Sequence, residues 1–371
     1  MLVGVPSEIK VHEYRVGLTP GAVREYVARG HQVLVQSGAG AGIMATDEAY
    51  RAAGAAIADS AVEIFSRADM IVKVKEPQPS EWVQLRAGQL LFTYLHLAPD
   101  PDQAKGLIAS GCTAIAYETV TDERGTLPLL APMSEVAGRL AIEAAGEAMR
   151  RSEGGAGILL GGVPGVPAGR VTVLGGGVVG THAARMAVGL GAEVTIVDRS
   201  IPRLRQLDEL FQGRVRTRYS TLETIDHEIS VADAVIGAVL IPGASAPKLV
   251  TRAMLKHMKP GSVLVDVAID QGGCFETSRP TTHADPTYVI DGIIHYCVAN
   301  MPGAVPQTSA AALNNATLPY GLALADHGLD AIRADKGLMD GLNVHQGKVT
   351  SGAVAESLGL EFVPPETALA A

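Results

Sequence analysis

Two sets of residues in this chain could do chemistry. The first is Gly175, Gly177 and Gly180, which stand in G-x-G-x-x-G spacing between an apolar run at 171–174 and an alanine-rich stretch, with Asp198 closing a second apolar run. Strand, tight turn, helix and strand follow one another in that order. The first glycine permits the turn, the second lets a pyrophosphate approach bare backbone, and the third lets helix and strand pack closely. The helix N-terminus then offers unpaired N–H groups to the phosphates. Asp198 falls where a carboxylate accepts from both ribose hydroxyls, and its charge would repel a 2′-phosphate, so the site is expected to prefer NAD to NADP. Glycine-rich turns also arise for structural reasons; the pattern becomes specific through the two strands, the helix and the terminal acid together. No Gly-Lys-Ser/Thr closes the turn, which excludes a phosphate loop of the NTPase type.

The second set is Arg15, Lys75, His96, Asp270 and Asn300. All but Arg15 follow an apolar run, the place where ligands gather in an open α/β sheet. Each has a plain reading beside its chemical one. Lys75 could be a solvated strand end paired with Glu76, or a cation that holds a carboxylate or polarises a carbonyl. His96 could be a satisfied core histidine, or a general acid/base exchanging a proton with a substrate oxygen or nitrogen as hydride moves. Asp270 could merely cap the turn at Gly272 and Gly273. Arg15 could be a surface loop arginine, or a guanidinium fork for a carboxylate. The other histidines have no comparable placement, and no nucleophile-elbow motif supports a Ser-His-Asp arrangement.

These residues need strands to position them, and the chain supplies short apolar runs alternating with helical stretches. Strands are expected at 2–5, 32–36, 70–75, 89–95 and 113–117, with helices at 20–29, 47–53, 60–66 and 102–109. Repeated β-α-β units of this kind demand a parallel sheet covered on both faces. A long alanine-rich helix at 132–151 can bridge to a second domain and is followed by a Gly- and Pro-rich loop at 154–169. Further strands are expected at 216–219, 234–238, 262–267, 287–290 and 295–298. Past residue 303 lies a helix at 309–326 and shorter ones, with no run of strands, too little for a third domain. The chain therefore crosses back. The expected fold is α/β: two Rossmann-like doubly wound parallel-sheet domains, a discontinuous substrate domain at 1–128 plus 305–371 and a NAD-binding domain at 129–304. If the two carboxyl edges face one another, the reactive residues line one interdomain active-site cleft.

Composition agrees and narrows the partners. With 371 residues, 47% hydrophobic, 4% aromatic and 42 glycines, the chain suits two α/β domains built on small aliphatic side chains and tight turns. A formal charge of −9 and no Lys/Arg cluster argue against nucleic acid and anionic membranes, leaving a small-molecule substrate. Cys112, Cys274 and Cys297 lack metal-type spacing and sit in or beside apolar runs, so buried thiols are expected and no metal. No apolar stretch approaches a membrane span and the N-terminus runs straight into a strand, so a cytoplasmic location is expected.

Several long segments carry a resemblance: GVPSEIKVHEYRVGLTP, VKVKEP, LFTYLHLA, AYETV, LPLLAPMSEVAGRLA, GGVPGV, RLRQLDELF, VIGAVLIPGASAPKLV, VDVAIDQGGCFETSRPTTH and YCVANMPGAVP. Along nearly its whole length the chain resembles the alanine dehydrogenase family, which is shared with the α-subunit of pyridine nucleotide transhydrogenase. The resemblance implies oxidative deamination of L-alanine to pyruvate and ammonium with NAD, and the reverse reductive amination. It implies Arg15 and Lys75 as substrate-binding residues, His96 and Asp270 as catalytic ones. It implies cofactor contacts at Ser134, Val178, Val179, Asp198, Arg203, Ser220, Val239, Leu240, Val267, Ala268, Ile269, Asp270, Val298, Ala299, Asn300 and Met301, and a homo-oligomer, typically a hexamer.

Two other classes compete. A NAD-binding module that passes hydride to a partner subunit, as in transhydrogenase, would carry an Arg-Ala-Gln-type loop before the bridging helix; LLAPMSEVAGRLA occupies that place without it. A regulatory NAD-binding protein without turnover would be expected to have lost a reactive group, yet Arg15, Lys75, His96 and Asp270 are all present.

Overall fold

The computed structural model describes residues 1–239 and 246–370. The chain divides into two compact units, Met1–Met133 with Val305–Ala371, and Ser134–Ala304. In the first, strands β1 (Leu2–Val5), β2 (Gln32–Gln36), β3 (Ala56–Ala58), β4 (Met70–Val72), β5 (Leu90–Thr93) and β6 (Thr113–Ala116) form the parallel part of a sheet ordered β3-β2-β1-β4-β5-β6. The second unit repeats the plan. Strands β7 (Arg170–Leu174), β8 (Glu193–Asp198), β9 (Val215–Tyr219), β10 (Ala234–Gly237) and β11 (Val263–Asp266) precede an edge hairpin of β12 (Thr287–Ile290) and β13 (Ile293–Tyr296). Its parallel part runs β9-β8-β7-β10-β11-β13, with β12 antiparallel at the edge. In both sheets the chain starts in the middle, moves outward, and returns past its first strand, the doubly wound order of dinucleotide folds.

The strand sequences show why both faces are covered. Along β7, Val171 and Val173 enter one hydrophobic cluster, and Leu174 enters the other. In β10, Ala234 and Ile236 oppose Val235; in β11, Val263 and Val265 oppose Leu264. Successive side chains alternate between faces, so a nearly continuous apolar run is what a sheet buried on both sides requires. The surrounding helices begin at side-chain caps: Thr19, Thr46, Ser60, Asp100, Ser200 and Thr221 each accept a backbone N–H of the first turn.

Two expectations need correction. The C-terminal stretch is not devoid of strands, because β14 (Leu342–His345) pairs antiparallel with β6, and β15 (Lys348–Val349) pairs antiparallel with β14. A helix, Lys336–Gly341, running straight into β14 and a tight turn at Gln346–Gly347 hid this short hairpin among helical neighbours. The first sheet is therefore mixed and eight-stranded. Strand β3 went unread because three residues with two alanines carry almost no periodic signal. The strands carrying reactive residues are also shorter than their apolar runs: β4 ends at Val72 and β5 at Thr93, so Lys75 and His96 lie on the loops beyond.

The hairpin joins the first unit's core: Leu342 is fully buried and Val344 packs in the cluster with Ala114 and Leu91. Replacing Leu342 with Ala should destabilise this unit by about 2–5 kcal/mol, the range for a fully buried leucine. Urea unfolding followed by circular dichroism measures it, and a loss below about 1 kcal/mol would mean that the hairpin is peripheral.

Candidate active site

In the first unit, Arg15 lies on the loop after β1, Lys75 on the loop after β4 and His96 on the loop after β5, all at the carboxyl end of the sheet. Since β1 and β4 neighbour each other where the chain reverses direction, this is the crevice a doubly wound sheet leaves open. Arg15 is not a surface arginine: the residue is 2% exposed. Its Nε donates to Glu13 Oε1 at 2.6 Å and its Nη2 to Glu13 Oε2 at 2.5 Å, while its backbone N–H also donates to Oε1 at 3.0 Å. The third nitrogen, Nη1, lies 2.9 Å from Met133 Sδ. Burial opposes the charge, but the Glu13 carboxylate outweighs it and holds the guanidinium above its ordinary pKa. The fork is pre-set on one edge, with Nη1 on the other.

Lys75 is buried, 9% exposed. The segment leading to it is anchored by a buried ionic triad: Lys73 Nζ lies 3.1 Å from Glu8 Oε2 and 2.8 Å from Glu81 Oε1, all three side chains almost wholly buried. Glu8 Oε1 also accepts the Val74 N–H at 2.6 Å, and Glu81 Oε2 accepts the Gln78 N–H at 2.8 Å. Burial pushes the Glu8 carboxyl up despite Lys73, and the two carboxylates keep Lys73 above its ordinary value against desolvation. Glu76, beside Lys75, pairs with Lys10. Burial raises its carboxyl, but Lys75, Lys10 and His96 together take it below its ordinary value.

His96 is no core histidine. Its side chain is 42% exposed, and its backbone sits at φ 47°, a left-handed conformation that non-glycine residues avoid. Glu118 holds it there, accepting the His96 N–H at 2.6 Å and the Leu95 N–H at 3.2 Å on each oxygen. The same carboxylate lies 3.9 Å from His96 Nδ1. The imidazole stacks on Tyr94 with centroids 5.7 Å apart and planes 6° from parallel, and the Tyr94 hydroxyl donates to the Leu129 carbonyl at 2.6 Å. A cation pair and an oriented imidazole therefore share this edge. Such a set can hold a carboxylate and move a proton beside it.

In the second unit the cofactor candidates follow the parallel strands: Gly175, Gly177, Val178, Val179 and Gly180 after β7, Asp198 at the end of β8, Ser220 after β9, Val239 after β10, Val267 to Asp270 after β11 and Val298 to Met301 after β13. Arg203 lies in the helix Ile201–Phe211, and Ser134 in the helix Ala131–Ala148. Leu240 lies outside the described residues. A dinucleotide fits this turn by three observations. A Cβ on Gly180 would overlap the Gly175 carbonyl, so only glycine lets the helix Val178–Gly189 pack this close, whereas a Cβ on Gly177 would meet nothing within 4 Å, leaving its face open. That helix has no side-chain cap, unlike its neighbours, so no capping side chain takes its first N–H groups, which a helix N-terminus can offer to a phosphate. Asp198 braces the turn, its Oδ2 accepting the Gly176 N–H and its Oδ1 the Ser200 N–H, both at 2.7 Å. Arg203 packs against the same turn, its Nε donating to the Gly176 carbonyl at 2.6 Å and its Nη2 to the Thr181 hydroxyl at 2.7 Å.

Asp270 is exposed in the short turn Ile269–Gln271, with Gly272 and Gly273 at positive φ behind it. Among the described residues its carboxylate caps nothing; the turn is organised by Asp266 instead. That fully buried carboxylate accepts the N–H groups of Ala268 at 3.2 Å, Cys274 at 2.8 Å and Phe275 at 3.3 Å, and the Ser278 hydroxyl. It ties both ends of the loop that presents Asp270. Asn300 adopts φ 60°, and its carbonyl lies 3.3 Å from His283 Nε2. Glu13, Glu118, the Lys73 triad and Asp266 were missed in the sequence. The available signal was a charge inside or beside an apolar run, which burial makes untenable without a partner.

Comparison with known proteins covers both units. The family description "Alanine dehydrogenase/PNT, N-terminal domain" matches residues 4–137, and "Alanine dehydrogenase/PNT, C-terminal domain" matches 141–352. An alanine dehydrogenase of Halomonas elongata is 60% identical over 364 residues, 98% of either chain. A solved L-alanine dehydrogenase superposes with a TM-score of 0.94 at 51% identity, covering 97% of this chain and 99% of its own. A transhydrogenase structure from Sinorhizobium meliloti superposes with a TM-score of 0.81 at 25% identity, covering 95% and 100%.

The buried triad generates a stability prediction. Lys73→Met strands two carboxylates without their cation and should cost about 3–5 kcal/mol at neutral pH. Because the Glu8 carboxyl is already raised in the folded state, the penalty belongs to its ionised form. It is present in full above the folded pKa and relieved as pH falls toward the unfolded value of 4.5. Urea titrations of both proteins between neutral pH and pH 5 should show the gap narrowing on acidification; a constant gap would place the cost in lost packing.

Proposed function

The chain belongs to the alanine dehydrogenase/PNT family, and we propose that it oxidatively deaminates L-alanine to pyruvate and ammonium with NAD and runs the reverse reductive amination. What carries the reading is likeness to an alanine dehydrogenase at 60% identity along 98% of either chain, far above the 25% shared with the transhydrogenase. The chain is an oxidoreductase of a family that works with a nicotinamide cofactor; NAD as the particular cofactor is part of the proposal, supported by Asp198 at the end of β8.

The reaction consumes alanine, water and the oxidised cofactor and yields pyruvate, ammonium, the reduced cofactor and a proton. When bound, the cofactor supplies the hydride acceptor. In our assignment Arg15 and Lys75 take the substrate carboxylate and carbonyl oxygen, fixing Cα by two points and removing the orientational freedom a solution encounter would have. Glu13 and the Lys73 triad hold those two cations before substrate arrives. His96, oriented by Glu118 and Tyr94, is the acid/base group: it takes a proton from the attacking water as that water adds to the iminium carbon. Asp270 is the second catalytic group, exchanging the proton with the departing amine. The cofactor side is assigned to Ser134, Gly175, Gly177, Val178, Val179, Gly180, Asp198, Arg203, Ser220, Val239, Leu240, the stretch Val267 to Asp270, and Val298 to Met301.

The unit holding 305–371 is proposed as the substrate domain and the other as the cofactor domain. A homohexamer is proposed from the family resemblance alone, and a cytoplasmic location from the apolar runs of the sequence; among the described residues no helix is long and apolar enough to cross a membrane.

The purified protein should reduce NAD when given L-alanine at alkaline pH, read as NADH absorbance; normal NAD binding without that absorbance would sink the enzyme reading. His96→Ala should abolish turnover and leave NAD affinity nearly intact, since the side chain is 42% exposed and lies in the unit that does not carry the dinucleotide turn. Loss of both together would make His96 a structural residue. Asp198→Ala should erode the preference for NAD over NADP in steady-state kcat/KM, and an unchanged ratio would contradict the ribose assignment.

A further inference from the structure

The long helix Pro306–His327 of the returning C-terminal segment carries a side chain that its packing does not require. Asn314 stands in mid-helix, 4% exposed, with both ends of its amide spent on the loop that follows Arg15. Its Oδ1 accepts the Thr19 N–H at 2.8 Å, and its Nδ2 donates to the Gly17 carbonyl at 3.1 Å. A leucine would fill the same space without the cost of burying an amide, so a polar residue here has to be explained by what it holds. What it holds is the backbone on either side of Leu18. The Leu18 carbonyl is taken in turn by the Tyr50 hydroxyl at 2.9 Å.

The loop has no room to retreat. A Cβ on Gly17 would collide with the Val72 carbonyl at the end of β4, so the loop is pressed against the sheet on one side and hydrogen-bonded to the helix on the other. Val16 and Leu18 are both buried, and Thr19 begins the helix Pro20–Ala28 as its cap. Arg15 lies two residues before Gly17. Its guanidinium is set from one side by Glu13 and its backbone from the other by this clamp.

We propose that Asn314 is a positioning residue for the substrate carboxylate, acting through the Gly17–Thr19 backbone to place Arg15. The C-terminal segment thereby shapes the substrate site although its helix supplies none of the groups assigned to touch substrate. The inference rests on the reading of Arg15 as the carboxylate ligand, and the experiment separates the two. Pyruvate is titrated into the enzyme–NADH complex without ammonium, with NADH fluorescence as readout, so that binding is measured in the absence of turnover. Asn314→Leu should weaken pyruvate binding by about 10–100-fold, the scale of an ångström-sized misplacement, with NADH affinity unchanged. Asn314→Ala removes both hydrogen bonds without adding bulk or a buried charge and should weaken pyruvate binding on the same scale; it decides the matter if the leucine variant fails to fold. In an Arg15→Ala background both substitutions should have no further effect. Unchanged pyruvate affinity in the Asn314 variants, or losses that simply add to that of Arg15→Ala, would overturn the proposal. An Arg15→Ala enzyme that binds pyruvate normally would instead overturn the Arg15 reading, and the clamp's role with it.

Discussion

A parallel sheet places the carboxyl end of every strand on one edge, and this single constraint decides where chemistry can stand in the chain. Both sheets run outward from a central first strand and then return past it, so the loops after β1 and β4, and after β7 and β10, diverge to opposite faces and leave a crevice between them. Arg15, Lys75 and His96 lie on loops at that edge of the first sheet, and Asp270 with nearly every cofactor candidate at that edge of the second. Residues remote in sequence, such as Arg15, Lys75 and His96, become neighbours because β1, β4 and β5 are adjacent. The two sheets repeat one topology but use their edges differently. One presents naked backbone N–H groups at Gly177, and the other presents cations.

Those cations are expensive to bury, and much of the local architecture follows from that. Arg15 is charge-neutralised by Glu13, and Lys73 by Glu8 and Glu81. A buried pair of this kind contributes little net stability compared with apolar residues of the same volume, but it fixes geometry, because either partner alone would be strongly disfavoured. The Glu13 fork engages Nε and Nη2 of Arg15, so the guanidinium cannot swing, and its Nη1 faces Met133. With Arg15 internally neutralised, Lys75 weighs heavily in the local field at the site; its effect on Glu76 is the largest among the charges that lower that carboxyl. Glu118 does the corresponding work for His96 through the backbone, stabilising a left-handed conformation that costs about 1–3 kcal/mol when unsupported.

The dinucleotide turn was legible because its information is local: glycine spacing, flanking strands and a terminal acid all lie within Val171 to Asp198. The reactive groups of the first unit were legible as candidates because charged residues after apolar runs mark strand ends. What could not be read was which neighbouring charges would be consumed. Lys73 and Lys75 differ by two positions and share a motif, yet Lys73 points into a buried triad whose partners Glu8 and Glu81 come from other segments. Arg15 reads as a loop arginine until tertiary burial closes Glu13 over it. The edge hairpin of β14 and β15 was invisible for another reason: its pairing with β6 joins residues more than two hundred positions apart, and so short a strand has no periodicity of its own.

That long-range pairing also explains why the chain returns at all. With β6 as the last parallel strand, the first sheet would end in an open edge of unpaired N–H and C=O groups, a liability that proteins close off. The antiparallel β14 covers it, and the helix Pro306–His327 that brings the chain back carries Asn314 to the other side of the unit, against the loop after β1. The second sheet solves the same edge problem more cheaply, with the hairpin β12–β13 formed by adjacent sequence. The discontinuity of the first unit thus does two things that a local hairpin could not. It seals the sheet at β6, and it delivers a buried amide to the backbone that carries Arg15.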